Sequence, residues 1–421
     1  MTPAKSNRSL TSSIAAMIAV CLIPVESSAQ SLEGQDFAAS AVVRVNENTA
    51  GNQTNPAVDA AADGSRVVVW QESDIEGRRL TADLTPVGSD FQVSFGTYSN
   101  AAPDVCVDAQ GDFVAVWQFS GFVNDIRVRR NVGGSFAPQI SDDIANSLRN
   151  TNIRQSPAVD CTTASEFVVA WQGETPEDDN AIAGRRFTVG VAQGATEFQV
   201  NTYTADPSLP PDIAMDANGD FVVAWGQSDS VVRGLGGNAG VATRRFQADG
   251  TALDAMQVLT MPHSGSLYNV NVDRHPDGDF VVVWEDNTQL NATVSAELFN
   301  PQGVSLATGQ FAPSGNFSGD VQGYGVFAGP DGAFLIAANE PGGSEFEFQR
   351  FTDPLATSGD PWTAPGGPSS RDPFDIVGRA DGSFVVVWSE NNDIFAQQWI
   401  PALFADGFEG GNTMQWATQV P

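Results

Sequence analysis

Lysine is all but missing from this chain of 421 residues: Lys5 is the only one, and apart from two histidines every other basic side chain is an arginine. Asp and Glu number 51 against 20 for Lys and Arg, so the formal charge is −31. A surface of that sign repels nucleic acid and anionic membranes, whose recognition needs clustered cations. Histidine is scarce too. His263 and His275 could serve one acid–base role but not a His-rich metal centre. No G-x-S-x-G, no H-E-x-x-H and no phosphate-cradling glycine loop occurs, so the common hydrolase, zincin and NTPase chemistries have no motif here. Beyond the first residues, no apolar run is long enough for a membrane-spanning helix.

The N-terminus has the parts of a secretory signal. Lys5 and Arg8 precede the apolar stretch "IAAMIAVCLIPV", and small residues "SSA" lead to Gln30. The expected cut follows Ala29, which places the mature chain in a periplasmic or extracellular setting. Cys21 leaves with the signal. Cys106 and Cys161 remain where disulfides persist, on equivalent strands of neighbouring repeats, and read either as a bridge or as two buried thiols.

What the chain has in abundance is one short strand. "RVVVW" ends at Trp70, "FVAVW" at Trp117, "FVVAW" at Trp171 and Trp225, "FVVVW" at Trp284, "FLIAA" at Ala338 and "FVVVW" at Trp388. Each copy follows a shorter strand such as "PAVDA" or "PDIAMD". The turn between them is Asp-Gly, Asn-Gly or Gln-Gly in six of the seven copies, and only "TTASE" lacks the glycine. Such dipeptides between apolar runs are the strongest short-range hairpin signal. A third strand ("EGRRL", "AGRRF", "ATRRF") and usually a fourth ("DFQVS", "EFQVN") complete a unit of about 50 residues. Seven four-stranded units predict an all-β, seven-bladed propeller of antiparallel blades. The last unit stops after its third strand, "FAQQW". A fourth-type strand, "AVVRVN", stands instead at Ala41–Asn46, and is expected to close the last blade. The division is therefore signal peptide 1–29, propeller 30–400 and tail 401–421.

The continuous Val, Ile and Phe of the second strand suit burial on both faces. Trp70, Trp117, Trp171, Trp225, Trp284 and Trp388 recur at one interior position, so packing explains them better than a sugar-stacking platform. The alternating oxygen donors Asp216, Asn218, Asp220 and Asp273, Asp277, Asp279 resemble calcium loops in spacing only. The bidentate acid that would complete such a loop does not recur. Hairpin chemistry accounts for them, no cofactor is implied, and calcium is the one ion left open.

The unit P-x-x-A-M-D-x-x-G-D-F-V-V-A-W, with R-R-F-x-x-D-G and E-F-Q-V-N-T-Y-T after it, resembles a repeat of large secreted bacterial proteins often described as adhesin-like or calcium-binding. The similarity spans roughly residues 41–400. The tail "LFADGFEGGNTMQW" resembles a C-terminal motif of secreted Gram-negative proteins and implies export. The Trp-Asp pair of WD repeats and the Asp-x-Gly box of sialidases are absent.

In an alternating blade, second-to-third loops and blade-to-blade connections share one face. These are the long, variable segments, where binding on a rigid scaffold usually resides. Asp74, Asp125, Asp178, Asp179, Asp286 and Asp393 fall in the second-to-third loops and are candidates for a cation or polyhydroxyl ligand, against a reading as solvated acids. The sixth unit departs from the pattern at Ala338, as drift or as a ligand notch. No catalytic residue is assigned. The expected function is a secreted, monomeric, non-enzymatic scaffold binding a surface glycan or protein, with no nucleic acid and no membrane span. Two alternatives stand beside it: a carbohydrate-active enzyme with carboxylates in the central funnel, and a purely structural extracellular module.

Overall fold

A computed structural model describes residues 37–401, less short stretches of which the longest are 228–239, 260–266, 312–323 and 366–373. Residues 1–36, which include the expected signal peptide, nearly all of the tail, His263 and Asp179 lie outside the described residues.

Seven antiparallel sheets follow one another along the chain. Their innermost strands are Thr54–Ala60, Ser99–Val107, Gln155–Thr163, Asp212–Met215, Leu267–Arg274, Tyr324–Ala328 and Phe374–Gly378. Each packs beside the next, and the seventh beside the first, which closes a seven-bladed propeller. The second strands are those expected: Arg66–Gln71, Phe113–Ser120, Glu166–Gly173, Phe221–Gln227, Phe280–Asp286, Phe334–Asn339 and Phe384–Glu390. The fourth position is split into two short strands in blades 2, 3, 6 and 7.

In blade 7 both fourth-position pieces come from the other end of the chain. Phe37–Ala39 pairs with Asp393–Pro401 in the register Phe37↔Pro401, and Val43–Arg44 pairs further along it at Val43↔Ala396. Asn46 completes the join. Its side-chain oxygen accepts the Ile394 N–H at 2.8 Å, and its amide donates to Asp393 Oδ1 at 2.7 Å.

The core is a set of interfaces between blades. Alternate residues of one second strand face opposite neighbours: Val67 and Val69 join the blade 1–2 cluster, Val68 and Trp70 the blade 7–1 cluster. The six repeated tryptophans are at most 2% exposed. Trp117 donates its indole N–H to Asn100 Oδ1 at 3.0 Å. The hairpins run as the Asx-Gly signal predicts. Gly219 takes φ +86°, while Asp216 Oδ1 accepts the Asn218 and Asp220 N–H groups. In the copy without glycine, the Thr163 hydroxyl accepts from Ser165 and Glu166 instead.

Arginines tie blade to blade. In "R-R" of the third strand, the first arginine reaches back to a carbonyl at the end of the preceding blade: Arg78 to Val45, Arg129 to Val93, Arg185 to Ala145, Arg244 to Val200. The second reaches forward to a turn of the next blade: Arg79 to Gly111, Arg186 to Asp249, Arg245 to Pro301. A planar fork of donors suits this better than the single ammonium of lysine. Cys106 and Cys161 add a covalent tie between the innermost strands of blades 2 and 3, with Cα atoms 6.0 Å apart.

Candidate functional site

The seven innermost strands leave one edge each toward the axis, and an unpaired strand edge needs its amides satisfied. Six aspartates do this. They sit eleven or thirteen residues before the second-strand tryptophan, in strict alternation: Asp59, Asp104, Asp160, Asp212, Asp273, then none in blade 6, then Asp375. One carboxylate oxygen accepts the N–H of the following residue, at 2.7–2.9 Å. The other accepts an N–H from the next blade: Val107 to Asp59, Val159 to Asp104, Met215 to Asp160, Val272 to Asp212, Ala328 to Asp273 and Val58 to Asp375, at 2.6–2.8 Å. Each aspartate is thus a clasp between two blades.

The clasps line a cavity of about 400 Å³ on the axis. Burial pushes Asp59 and Asp212 up to about 7, and Asp273 and Asp375 up to about 6, although the two amides that each accepts pull the other way. Asp104 and Asp160 are raised well above the usual carboxylate range, by burial first and then by repulsion, from Asp375 on Asp104 and from Asp59 on Asp160. Asp273, grouped above with Asp277 and Asp279, belongs to this ring.

Of the loop aspartates, Asp74, Asp125, Asp178 and Asp393 have described side chains, and each is bonded within its own blade, Asp74 also to Asn100 of blade 2. Asp125 is fully buried, pairs with Arg127 at 3.1 Å and accepts from Asn146. Asp74 accepts from Gln92, Ser94 and Asn100. Asp393 accepts from Asn46, and Asp178 from Gln199 at 3.4 Å. Each lies beside the end of its own blade's fourth strand, whose Ser94, Asn146, Asn201 or Asn46 also accepts the N–H of Ile75, Ile126, Ile182 or Ile394 near the start of the third strand. Asp286 ends the second strand of blade 5. Among the described residues, no group of three or more His, Cys, Asp or Glu has metal-binding geometry. His275 is 3% exposed, stacked on Phe334, with Nε2 3.1 Å from the Ala333 carbonyl.

Two other cavities stand off the axis, the first of them outside the sequence reading. In blade 1, Asn48, Trp70, Glu72, Glu76 and Asp90 line a cleft of about 220 Å³. Burial, then repulsion by Glu72, Asp74 and Asp90, pushes Glu76 up to about 7. In blade 6, Ala338 is buried where the other blades place tryptophan. A cavity of about 290 Å³ opens between blades 6 and 7, lined by Phe327, Leu335, Phe384, Arg350 and Pro401 among others.

No protein-family model matches the chain, and no curated protein does. Solved structures do. A family 25 polysaccharide lyase, an ulvan lyase bound to -[GlcA(1-4)Rha3S]-, superposes with a TM-score of 0.52 at 10% identity, over 85% of this chain and 95% of that one. Hydrazine synthase of Kuenenia stuttgartiensis superposes with a TM-score of 0.51 at 12% identity, over 86% and 98%. The likeness is one of fold. One ring serves a lyase and the other a synthase, so architecture selects no chemistry.

Proposed function

We propose that the protein is an exported, closed propeller that holds a glycan or protein partner on its long-loop face and performs no chemistry in its axial channel. One observation supports this above the rest. The axial carboxylates, the convergent acids an enzyme of this shape would use, each spend both oxygens on backbone amides of two blades. That is the bonding of a structural clasp, repeated blade after blade, and not of an acid and base poised over a substrate. The leader-like residues 1–29 and the export-type tail supply the setting. Among the described residues no helix is long and apolar enough to cross a membrane. A glycan array and a pull-down with the intact chain test the reading. Binding that is lost when long-loop residues are substituted, with no turnover of the ligand, is the expected result.

A second reading, a carbohydrate-active enzyme, is favoured by Glu76. A carboxyl pushed up to about 7 by burial and by its neighbours Glu72, Asp74 and Asp90 is suited to donate a proton near neutral pH, with further carboxyls at hand for a partner role. Release of reducing ends from a polysaccharide panel, abolished in Glu76→Gln and falling off above neutral pH, would establish it in place of the first.

A further inference from the structure

Blade 2 carries an aromatic group that the fold does not use. Phe122, in the turn between Phe113–Ser120 and Asn124–Val132, is 84% exposed, and Tyr98, at the entry to the blade, is 40% exposed. Their rings meet edge to face at 5.7 Å. Tyr98 meets Phe119 in the same way at 5.5 Å, and the Arg127 guanidinium lies 4.4 Å from the Phe119 ring centre. Leaving a phenylalanine in water costs hydrophobic free energy that folding alone would recover by burying it.

The group is built rather than accidental. A Cβ at Gly121 would come within 2.9 Å of the Phe119 ring and 3.2 Å of Tyr98, so only glycine lets the rings pack as they do. Asn100, two residues beyond Tyr98, is fixed between Trp117 and Asp74. The platform therefore stands on a rigid base, which lowers the entropy lost on binding.

We propose that Tyr98 and Phe122, with Phe119 beneath them, form a stacking subsite for a neutral sugar ring. This rests on the partner-binding reading above and names the ligand class. Size decides between sugar and protein. Two partly exposed aromatic side chains offer roughly 250 Å², against about 800 Å² per partner in a standard protein interface. One or two sugar rings need no more. Charge decides among sugars: a net charge of −31 with almost no lysine disfavours a polyanion. The border supplies hydroxyl and amide groups: Ser99 and Ser120 are paired across the strands, and Gln118 donates to Ser120 Oγ at 3.3 Å. Apolar ring faces edged by such groups match the C–H face and the hydroxyls of a pyranose.

Affinity electrophoresis of the full chain through gels containing hydroxyethylcellulose, galactomannan or laminarin tests the proposal. Retardation of the wild type in at least one gel is expected. Phe122→Ala should weaken it about tenfold, the value of one lost stacking contact. Tyr98→Ala should weaken it too, and Phe122→Trp should retain it. The melting temperature of Phe122→Ala should stay at the wild-type value, because the ring is exposed. Retardation that survives Phe122→Ala overturns this subsite while partner binding elsewhere on the face stands. No retardation in any neutral gel, or retardation only by a polyanionic polysaccharide, overturns the neutral-sugar assignment. A protein captured by the wild type and lost with Phe122→Ala reassigns the patch to protein docking and overturns it as well.

Discussion

Raising the pH from 4 to 8 should loosen this propeller, and the axial ring says by how much. Burial lifts Asp59 and Asp212 to about 7, and Asp273 and Asp375 to about 6, from an ordinary value of 3.8. Because folding raises these values, the folded state holds more protons than the unfolded chain between roughly pH 4 and pH 7. The stabilisation is complete below about pH 4 and is lost as pH climbs through 6 to 7, the opposite of the usual carboxylate in an ion pair. At ~1.4 kcal/mol per pH unit per proton, Asp273 and Asp375 give upper bounds of ~3 kcal/mol each and Asp59 and Asp212 ~4 kcal/mol each. Each keeps a face on the axial cavity, where water screens the charge. About half of the total, ~7 kcal/mol, is the expected loss.

An unfolding entropy of ~2.1 cal/mol/K per residue over roughly 365 residues converts that to a fall in melting temperature of ~9 °C. The assay is a thermal melt at intervals from pH 4 to pH 8 in ~0.5 M NaCl, where a Debye length of ~4 Å screens the general repulsion of an acidic surface but not the buried ring. Asp212→Asn removes one titrating group and should flatten the curve. A melting temperature that is level or rising between pH 5 and pH 8 in high salt would refute the claim that the ring folds partly protonated.

Other perturbations have equally defined outcomes. Reducing the Cys106–Cys161 bridge, which spans 55 residues, should cost about 4 kcal/mol by chain entropy, read from the urea midpoint with and without reductant. Asn46→Ala leaves the buried Ile394 N–H without its acceptor, and should cost ~1–3 kcal/mol and raise proteolysis at the N-terminal strand. Trp225→Ala opens a void between blades 3 and 4 and should cost ~3–5 kcal/mol by denaturant unfolding. Excess calcium should not shift the melting temperature, since Asp216 is already spent on two turn amides and on Arg274 at 3.0 Å. A calcium-dependent rise would return the Asx turns to the status of ligands.

The fold was legible because its signals are local and repeated. A hairpin glycine, an apolar run and a closing tryptophan come round seven times, with Ala338 standing for one tryptophan, and "AVVRVN" matched the strand that the last unit lacks. The site was not legible, although its residues lay in strands already singled out. "PAVDA" and "PDIAMD" each contain a clasp aspartate, but its phase shifts by two residues from blade to blade, so the residues do not align as a column. Their partners are amides of another blade, some 50 residues away, and nothing in a linear pattern marks a backbone N–H as needing one. The arginine pairs were visible as "R-R" without a reason, because one points backward and one forward around the ring. Phe122 stands three residues before Asp125 with no signal of its own in the sequence, since exposure is a property of the assembled surface.

The alternation of the clasps accounts for the odd sixth blade. Each innermost strand presents two axial amides, an upper and a lower. An aspartate at the upper level takes the upper amides of its own strand and of the next; the next blade, its upper amide already served, takes its aspartate at the lower level. Two levels can alternate without fault only around an even ring. With seven blades, one blade inherits a contradiction. Blade 6 would have to serve its own Val326 amide at one level and the Gly378 amide of blade 7 at the other, and one carboxylate cannot reach both. That blade carries Gly325 and Phe327 at the two clasp positions. The Phe327 ring lies where any Cβ on Gly378 would come within 1.8 Å of it, so the contradiction is covered with an apolar ring and not with a charge. Phe327→Asp should therefore destabilise the propeller despite matching the consensus of blades 1, 3 and 5. The test is denaturant unfolding beside Asp273→Asn, a clasp removed where clasps fit. If Phe327→Asp proves neutral or stabilising, the two levels are not exclusive, and the missing clasp of blade 6 is drift.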